Sequence, residues 1–253
     1  MIVKGNKMNE PSDLSGTKLS EQEKDSLTAL CRTLSDISDI DVKCICLYGS
    51  AARNDYRPGK SDINILVVLE RIDVPILKKV LDPVLRGRRH GIAPFFITEM
   101  NLRSSADVFP VKFLAMQESY RVLSGSDLLG NLKIGREHLR LRCEQQIKNL
   151  LLRMRRHYIM ASGRALTQMM SRAIGGLLET LRVVVSLTGQ DLPSRDEIVD
   201  VAAEKLDLDA GTLRDVSDLR DRDTSLPPKD AEELYGRFMN VVDKAAQTVD
   251  QMT

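Results

Sequence analysis

Apolar and polar positions follow one rhythm over the first half of this chain and another over the second. Ser20-Glu21-Gln22-Glu23 has the form of a capping box, and Leu27, Leu30, Cys31 and Leu34 recur behind it at helical spacing, which predicts a helix over about 19–38. Continuous apolar runs then predict strands at Val42–Tyr48 and Asp62–Leu69. Pro75 opens a predicted helix to about Leu85, the basic run Arg86-Gly87-Arg88-Arg89-His90 reads as a solvated loop, and Gly91–Thr98 reads as a third strand. A helix over 107–117, broken at its start by Pro110, and a short strand over 120–123 closed by Ser124-Gly125 complete this half.

From Leu132 onward the period becomes helical, and strand signals thin out. Leu150, Leu151, Met154 and Tyr158, then Met169, Met170, Ile174, Leu177, Leu178 and Leu181, supply core faces, with Gly163 separating two helices and Gly189 ending the second. The methionines on these faces read as packing. Preceding everything, residues 1–17 are polar with Gly5, Pro11 and Gly16, and read as a mobile N-terminal tail.

Composition narrows the picture. At 253 residues with 42% hydrophobic and 29% charged residues, the chain has room for two modest domains, each with a core. The four cysteines show no metal-ligand spacing and read as small buried hydrophobes, which fits a reducing cytoplasm; no run is long and apolar enough for a signal peptide or a membrane span. Without Trp, and with 4% aromatic residues, the chain is poorly equipped for base stacking, and its net charge of +1 predicts no general attraction to nucleic acid or membrane. That charge is unevenly spread: residues 136–182 carry ten Lys or Arg against three Glu, and residues 191–250 carry sixteen acids against eight bases. Opposed halves of this kind read as helix-to-helix pairing within a bundle, or as basic helices facing an anionic ligand.

The candidate chemistry lies in Cys44–Leu69, CICLYGSAARNDYRPGKSDINILVVL. Gly49-Ser50 at the end of a strand, running into a short helix through Ala51-Ala52-Arg53, offers close backbone approach and free N–H groups to a triphosphate. In a strand that opens at Asp62, side chains alternate, so Asp62 and Asn64 share a face and both can reach a divalent cation such as Mg²⁺. Asn64 brings an oxygen but no charge.

This stretch resembles the DNA polymerase beta-like nucleotidyltransferase superfamily: an apolar strand, Gly49-Ser50, eleven residues, then Asp62-Ile63-Asn64 where that family has Asp-x-Asp or Asp-x-Glu. Arg53, Pro58 and Ser61-Asp62 also stand where such proteins commonly have them, and FPVKFLAMQESYRVLSGSDLL is similar to the stretch that follows the core motif in some small members. The resemblance implies transfer of a nucleoside monophosphate from a nucleoside triphosphate to a hydroxyl, with two metal ions between three carboxylates. Gly49, Ser50, Arg53 and Ser61 would then bind nucleotide, Asp62 and Asn64 would be the catalytic and metal side, and the third acid would come from the strand at 91–98, which carries none. Glu99 lies just beyond that strand's end.

The expected architecture is α+β: a mobile tail at 1–17, a nucleotidyltransferase-like domain with a mixed sheet at 18–130, and a helical bundle at 132–250. Two functions follow: a nucleotidyltransferase of weakened activity, using nucleoside triphosphate with Mg²⁺ and an unknown small-molecule or macromolecular acceptor, or a catalytically inactive pseudoenzyme that binds nucleotide or a protein. A third setting, an antitoxin of this fold partnered with a helical toxin, is disfavoured by the attached bundle. The Arg153–His157 interval also lacks the four-to-six residue gap between Arg and His that the nuclease of such pairs has.

Overall fold

The computed structural model describes residues 14–53, 55–59, 61–222 and 226–252. It divides into two compact units between Ile134 and Gly135. The first holds α1 (Glu21–Asp36), β1 (Val42–Tyr48), α2 (Ser50–Arg53), β2 (Ile63–Leu69), α3 (Val74–Arg88), β3 (Ile92–Thr98), α4 (Glu99–Ser104), α5 (Pro110–Gln117) and β4 (Tyr120–Gly125). The second holds α6 (Arg136–Met160), α7 (Arg164–Leu187), α8 (Ile198–Leu206), α9 (Ala210–Arg222) and α10 (Pro228–Asp250). The architecture is α+β.

The four strands form one mixed sheet in the order β3-β2-β1-β4. β1 runs antiparallel to both β2 and β4, while β2 and β3 are parallel and joined through α3. Both central strands are covered on both faces, which is why they read as unbroken apolar runs. On one side Ile45, Leu47, Ile63, Ile65 and Val67 pack with Leu27, Leu30 and Leu34 of α1 and with Ile76 and Val80 of α3. On the other, Cys44, Cys46, Leu66 and Val68 pack with Leu102 of α4 and with Phe113 and Met116 of α5. All four cysteines are buried.

Local signals set the helix ends. Ser20 and Glu23 complete the capping box, with the Ser20 N–H donating to Glu23 Oε2 at 2.7 Å. Asp73 caps α3 by accepting from the Ile76 N–H at 2.9 Å. Of the basic run expected as a loop, Arg86, Gly87 and Arg88 prove to be the end of α3, and Arg89 and His90 follow it in a turn. Gly87 is buried there, and a Cβ on it would come 3.2 Å from Leu30 Cδ2, so this glycine serves close packing of α3 on α1 and does not break the helix. Gly91, at φ +77°, makes the turn into β3. The segment expected as one helix over 107–117 starts at Pro110, and a separate short helix, α4, precedes it with Thr98 as its cap, accepting from Asn101 N–H at 3.0 Å. Of the tail at 1–17, residues 1–13 lie outside the described residues; Leu14 is buried in the α1 core, and the Ser15 carbonyl accepts from Arg121 Nη1 at 2.8 Å.

In the second unit α7 packs against α6, α8, α9 and α10. Gly163 precedes α7 at φ +52°, and Gly189 follows its end at φ +89°. Tyr235 of α10 donates its hydroxyl to the Met154 carbonyl of α6 at 2.9 Å. Part of the opposed charge is spent on pairing α6 with α10: Lys148 meets Asp250 at 2.7 Å and Arg155 meets Asp243 at 3.2 Å. No helix among the described residues is long and apolar enough to cross a membrane.

Candidate active site

The site is built where β1 stops. Gly49 takes φ +78°, a conformation that L side chains rarely adopt, and its carbonyl accepts from the N–H groups of Ala52 at 3.0 Å and Arg53 at 3.1 Å. That closes the single turn α2, in which the first N–H groups, those of Ser50 and Ala51, are the ones a helical turn leaves without an internal partner. Ala51 is fully buried beneath the turn, which anchors it on the sheet.

Strand pairing then brings the second half of the motif alongside. Tyr48 lies opposite Asn64 in the β1–β2 ladder, so Asn64 adjoins the Gly49 bend, and a Cβ placed on Gly49 would be 3.8 Å from Asn64 Nδ2. Asp62 immediately precedes β2 and is exposed; Ile63 and Ile65 are fully buried on the α1 side, so Asn64 faces the other way, on the face of Leu66 and Val68. Asn64 Nδ2 donates to the Asp62 carbonyl at 3.4 Å, a long bond that holds the two residues together at the start of the strand.

The intervening loop is fastened at three points. Ser61 closes it on itself, its N–H donating to the Arg57 carbonyl at 2.9 Å and its hydroxyl accepting from the Arg57 N–H at 3.3 Å. Arg53 Nε lies 3.3 Å from Asp55 Oδ2, so the guanidinium that would meet a phosphate stands beside a carboxylate of the same loop. Tyr56 is buried and donates to Glu23 Oε1 at 2.6 Å, tying the loop to the start of α1. Burial, reinforced by the Glu23 bond, pushes the Tyr56 hydroxyl up to about 12. Burial works against the Glu23 carboxylate, but the Tyr56 hydroxyl and the Ser20 N–H and hydroxyl outweigh it and hold Glu23 below the usual carboxylate range.

On the β3 side the register decides what faces Asn64. Its partner is Ala93, and the next residue on that face is Phe95, opposite Leu66. Lys112 of α5 lies over the Phe95 ring, its Nζ 3.6 Å from the centroid, and burial lowers its ammonium's pKa. Glu99 is the first residue of α4, at the far end of β3 and roughly 20 Å along the strand from Ala93; it pairs with Arg103 at 2.9 Å. The arrangement thus gathers Gly49, Ser50 and Arg53 in one turn with Asn64 beside it and Asp62 leading into the same strand, and leaves Glu99 outside. Sequence reasoning missed Lys112 and the Tyr56–Glu23 tie. Tyr56 gave no signal, since it meets α1 only after folding; Lys112 lay within the helix expected over 107–117, but nothing along the chain set it over Phe95.

Residues 30–85 match the family model of the nucleotidyltransferase domain. The chain carries a nucleotidyltransferase domain. The matched segment runs from within α1 into α3 and contains every candidate site residue from Gly49 to Asn64. No curated protein matches the chain.

Such domains use nucleoside triphosphate with divalent metal, which needs oxygen donors to hold it. Among the described residues no three His, Cys, Asp or Glu side chains come together to hold a metal ion. One carboxylate, Asp62, and one amide oxygen, Asn64, suit a single Mg²⁺ that takes most of its ligands from phosphates and water. They do not suit a pair of metal ions, which needs more negative charge than one carboxylate supplies.

Proposed function

We propose that this nucleotidyltransferase domain binds Mg²⁺ with a nucleoside triphosphate and transfers nucleoside monophosphate weakly to a hydroxyl acceptor. The observation that carries the reading is the placement of the Gly49-Ser50 bend directly beside Asn64, with Asp62 at the head of the same strand. In this reading Ser50 and Ala51 N–H groups and the Gly49 bend take the phosphates. Arg53 adds charge once a phosphate competes with Asp55, Ser61 keeps the loop closed against the site, and Asp62 with Asn64 supplies the metal side. Transfer would join the acceptor oxygen to the α-phosphorus and release pyrophosphate, with the hydroxyl proton passing to water. Ala93 and Phe95 stand on the neighbouring strand face, so no carboxylate there assists that proton's departure.

That same strand favours a second reading, a nucleotide-binding pseudoenzyme. Asn64 is uncharged, Ala93 and Phe95 carry no acid, and Lys112 brings a cation to this face, an environment hostile to a second metal ion. One experiment separates the two. Calorimetric titration of Mg²⁺ with each nucleoside triphosphate, followed by an assay with α-labelled nucleotide, should show binding that Asp62→Ala weakens at least several-fold. Label transfer abolished by Asp62→Ala supports the enzyme, binding without transfer supports the pseudoenzyme, and no binding to either protein would refute both.

A further inference from the structure

The second unit contains a groove that the nucleotidyltransferase domain does not account for. Two chambers of about 550 and 580 Å³ lie in a row between α6 and α7 and share Leu150, Arg153, Arg172 and Ala173 in their walls. Arg142 lines the first chamber and Arg156 the second, and neither chamber is lined by any Asp or Glu. Small residues open the space: Ala173 and Gly176 belong to the α7 wall, and a Cβ on Gly176 would meet nothing within 4 Å.

The charge of these arginines is uncompensated. Of the ten basic residues between 136 and 182, Lys148, Arg140, Arg155 and Arg182 pair with acids, Arg136 donates to a carbonyl and Arg142 to the Gln145 amide. Arg153, Arg156 and Arg172 make no hydrogen bond or ion pair among the described residues. The acids of α10 thus neutralise the side of α6 packed against them, and the groove side keeps its cations. His157, which lines the second chamber, holds a buried Nδ1 without a partner among the described residues. Net charge does not contradict this, because at physiological salt fields are screened beyond about 8 Å and the local patch governs attraction.

From these features we infer that the α6–α7 groove binds the phosphate backbone of a single nucleic-acid strand. Arg142 and Arg156 are separated by about 21 Å of helix at 1.5 Å per residue, so the cations form a row. A lone phosphate would be held by donors converging on one point, whereas a row of guanidiniums between aliphatic and Met walls matches a chain of phosphodiesters. The chambers lie between two packed helices and lack Phe, Tyr and Trp, so recognition is of the backbone and not of stacked bases. This inference stands apart from the nucleotide site and does not depend on nucleotidyl transfer.

The test is fluorescence anisotropy of labelled oligo-dT and oligo-rU with the full chain across a salt series. Four contacts give a slope of log K against log salt of about −2.8, a loss of about 50-fold between about 50 and 200 mM. Replacing two arginines, Arg153→Gln with Arg172→Gln, should bring the slope to about −1.4 and the loss to about sevenfold; Arg156→Gln alone should lower its magnitude by about 0.7. Lys18→Gln with Lys78→Gln, exposed lysines of the first unit, removes the same charge and should leave the slope unchanged. Absence of binding at the lowest salt, an unchanged slope in both groove variants, or complete displacement of the strand by stoichiometric inorganic pyrophosphate would each overturn the inference, the last by showing a small-anion site.

Discussion

Restoring a carboxylate at Asn64 probes the candidate site most directly. Asn64 stands beside the Gly49 bend, two residues after Asp62 at the head of β2, so Asn64→Asp should place a second negative charge next to any cation held there. A unit charge about 4 Å from a divalent ion gains about 2 kcal/mol even at the dielectric of water. Salt and the lost amide dipole reduce this to about 1.4 kcal/mol, or about tenfold tighter binding of Mg²⁺ with nucleotide. In the absence of metal the new charge repels Asp62 across about 6.6 Å by roughly 0.6 kcal/mol, so the variant should be slightly less stable in low salt and recover when Mg²⁺ is added. Calorimetry at constant nucleotide, paired with thermal melts with and without Mg²⁺, reads both effects. Unchanged or weaker metal affinity would refute the placement of Asn64 at a metal.

Other expectations follow from the same geometry. Adding Ala93→Asp to Asn64→Asp sets three carboxylates on adjoining strand positions, and label transfer should exceed that of the single variant; equal rates would show that β3 does not border the reacting groups. Tyr56→Phe removes the 2.6 Å bond to Glu23 and should cost about 1 kcal/mol, discounted for the exposure of Glu23. Because Glu23 is held below its usual range, that stabilisation is fully present above an unfolded value of about 4.3 and is lost as pH falls through the lower folded value. The gap between wild type and Tyr56→Phe in urea unfolding should therefore be constant near neutrality and close under acid; a gap that widens there contradicts the assignment. Gly125→Ala should be severe, since φ is +81° and the new Cβ would fall 2.1 Å from the Lys43 carbonyl oxygen, a combined loss of about 3 kcal/mol seen as a lowered unfolding midpoint. A midpoint within error of wild type would show that this end of β4 can shift away from β1.

Sequence determined what depends on near neighbours. The capping box at Ser20, the apolar runs of β1 and β2, the Gly49-Ser50 bend and the change of period near residue 132 all arise within a few residues, where periodicity and backbone preference act directly. Arg86-Gly87-Arg88 misled for the same reason: locally a glycine among charges suggests a loop, and only the approach of Leu30 from α1 gives that glycine its use inside a helix. Tertiary structure alone decided which residues meet across the fold. The parallel register of β2 on β3 set Ala93 opposite Asn64, Tyr56 found Glu23 thirty-three positions away, and α10 chose which basic residues of α6 it would neutralise. Such pairings are fixed by how buried faces fit together, and no spacing along the chain encodes that fit, because it exists only once the sheet and the bundle have closed.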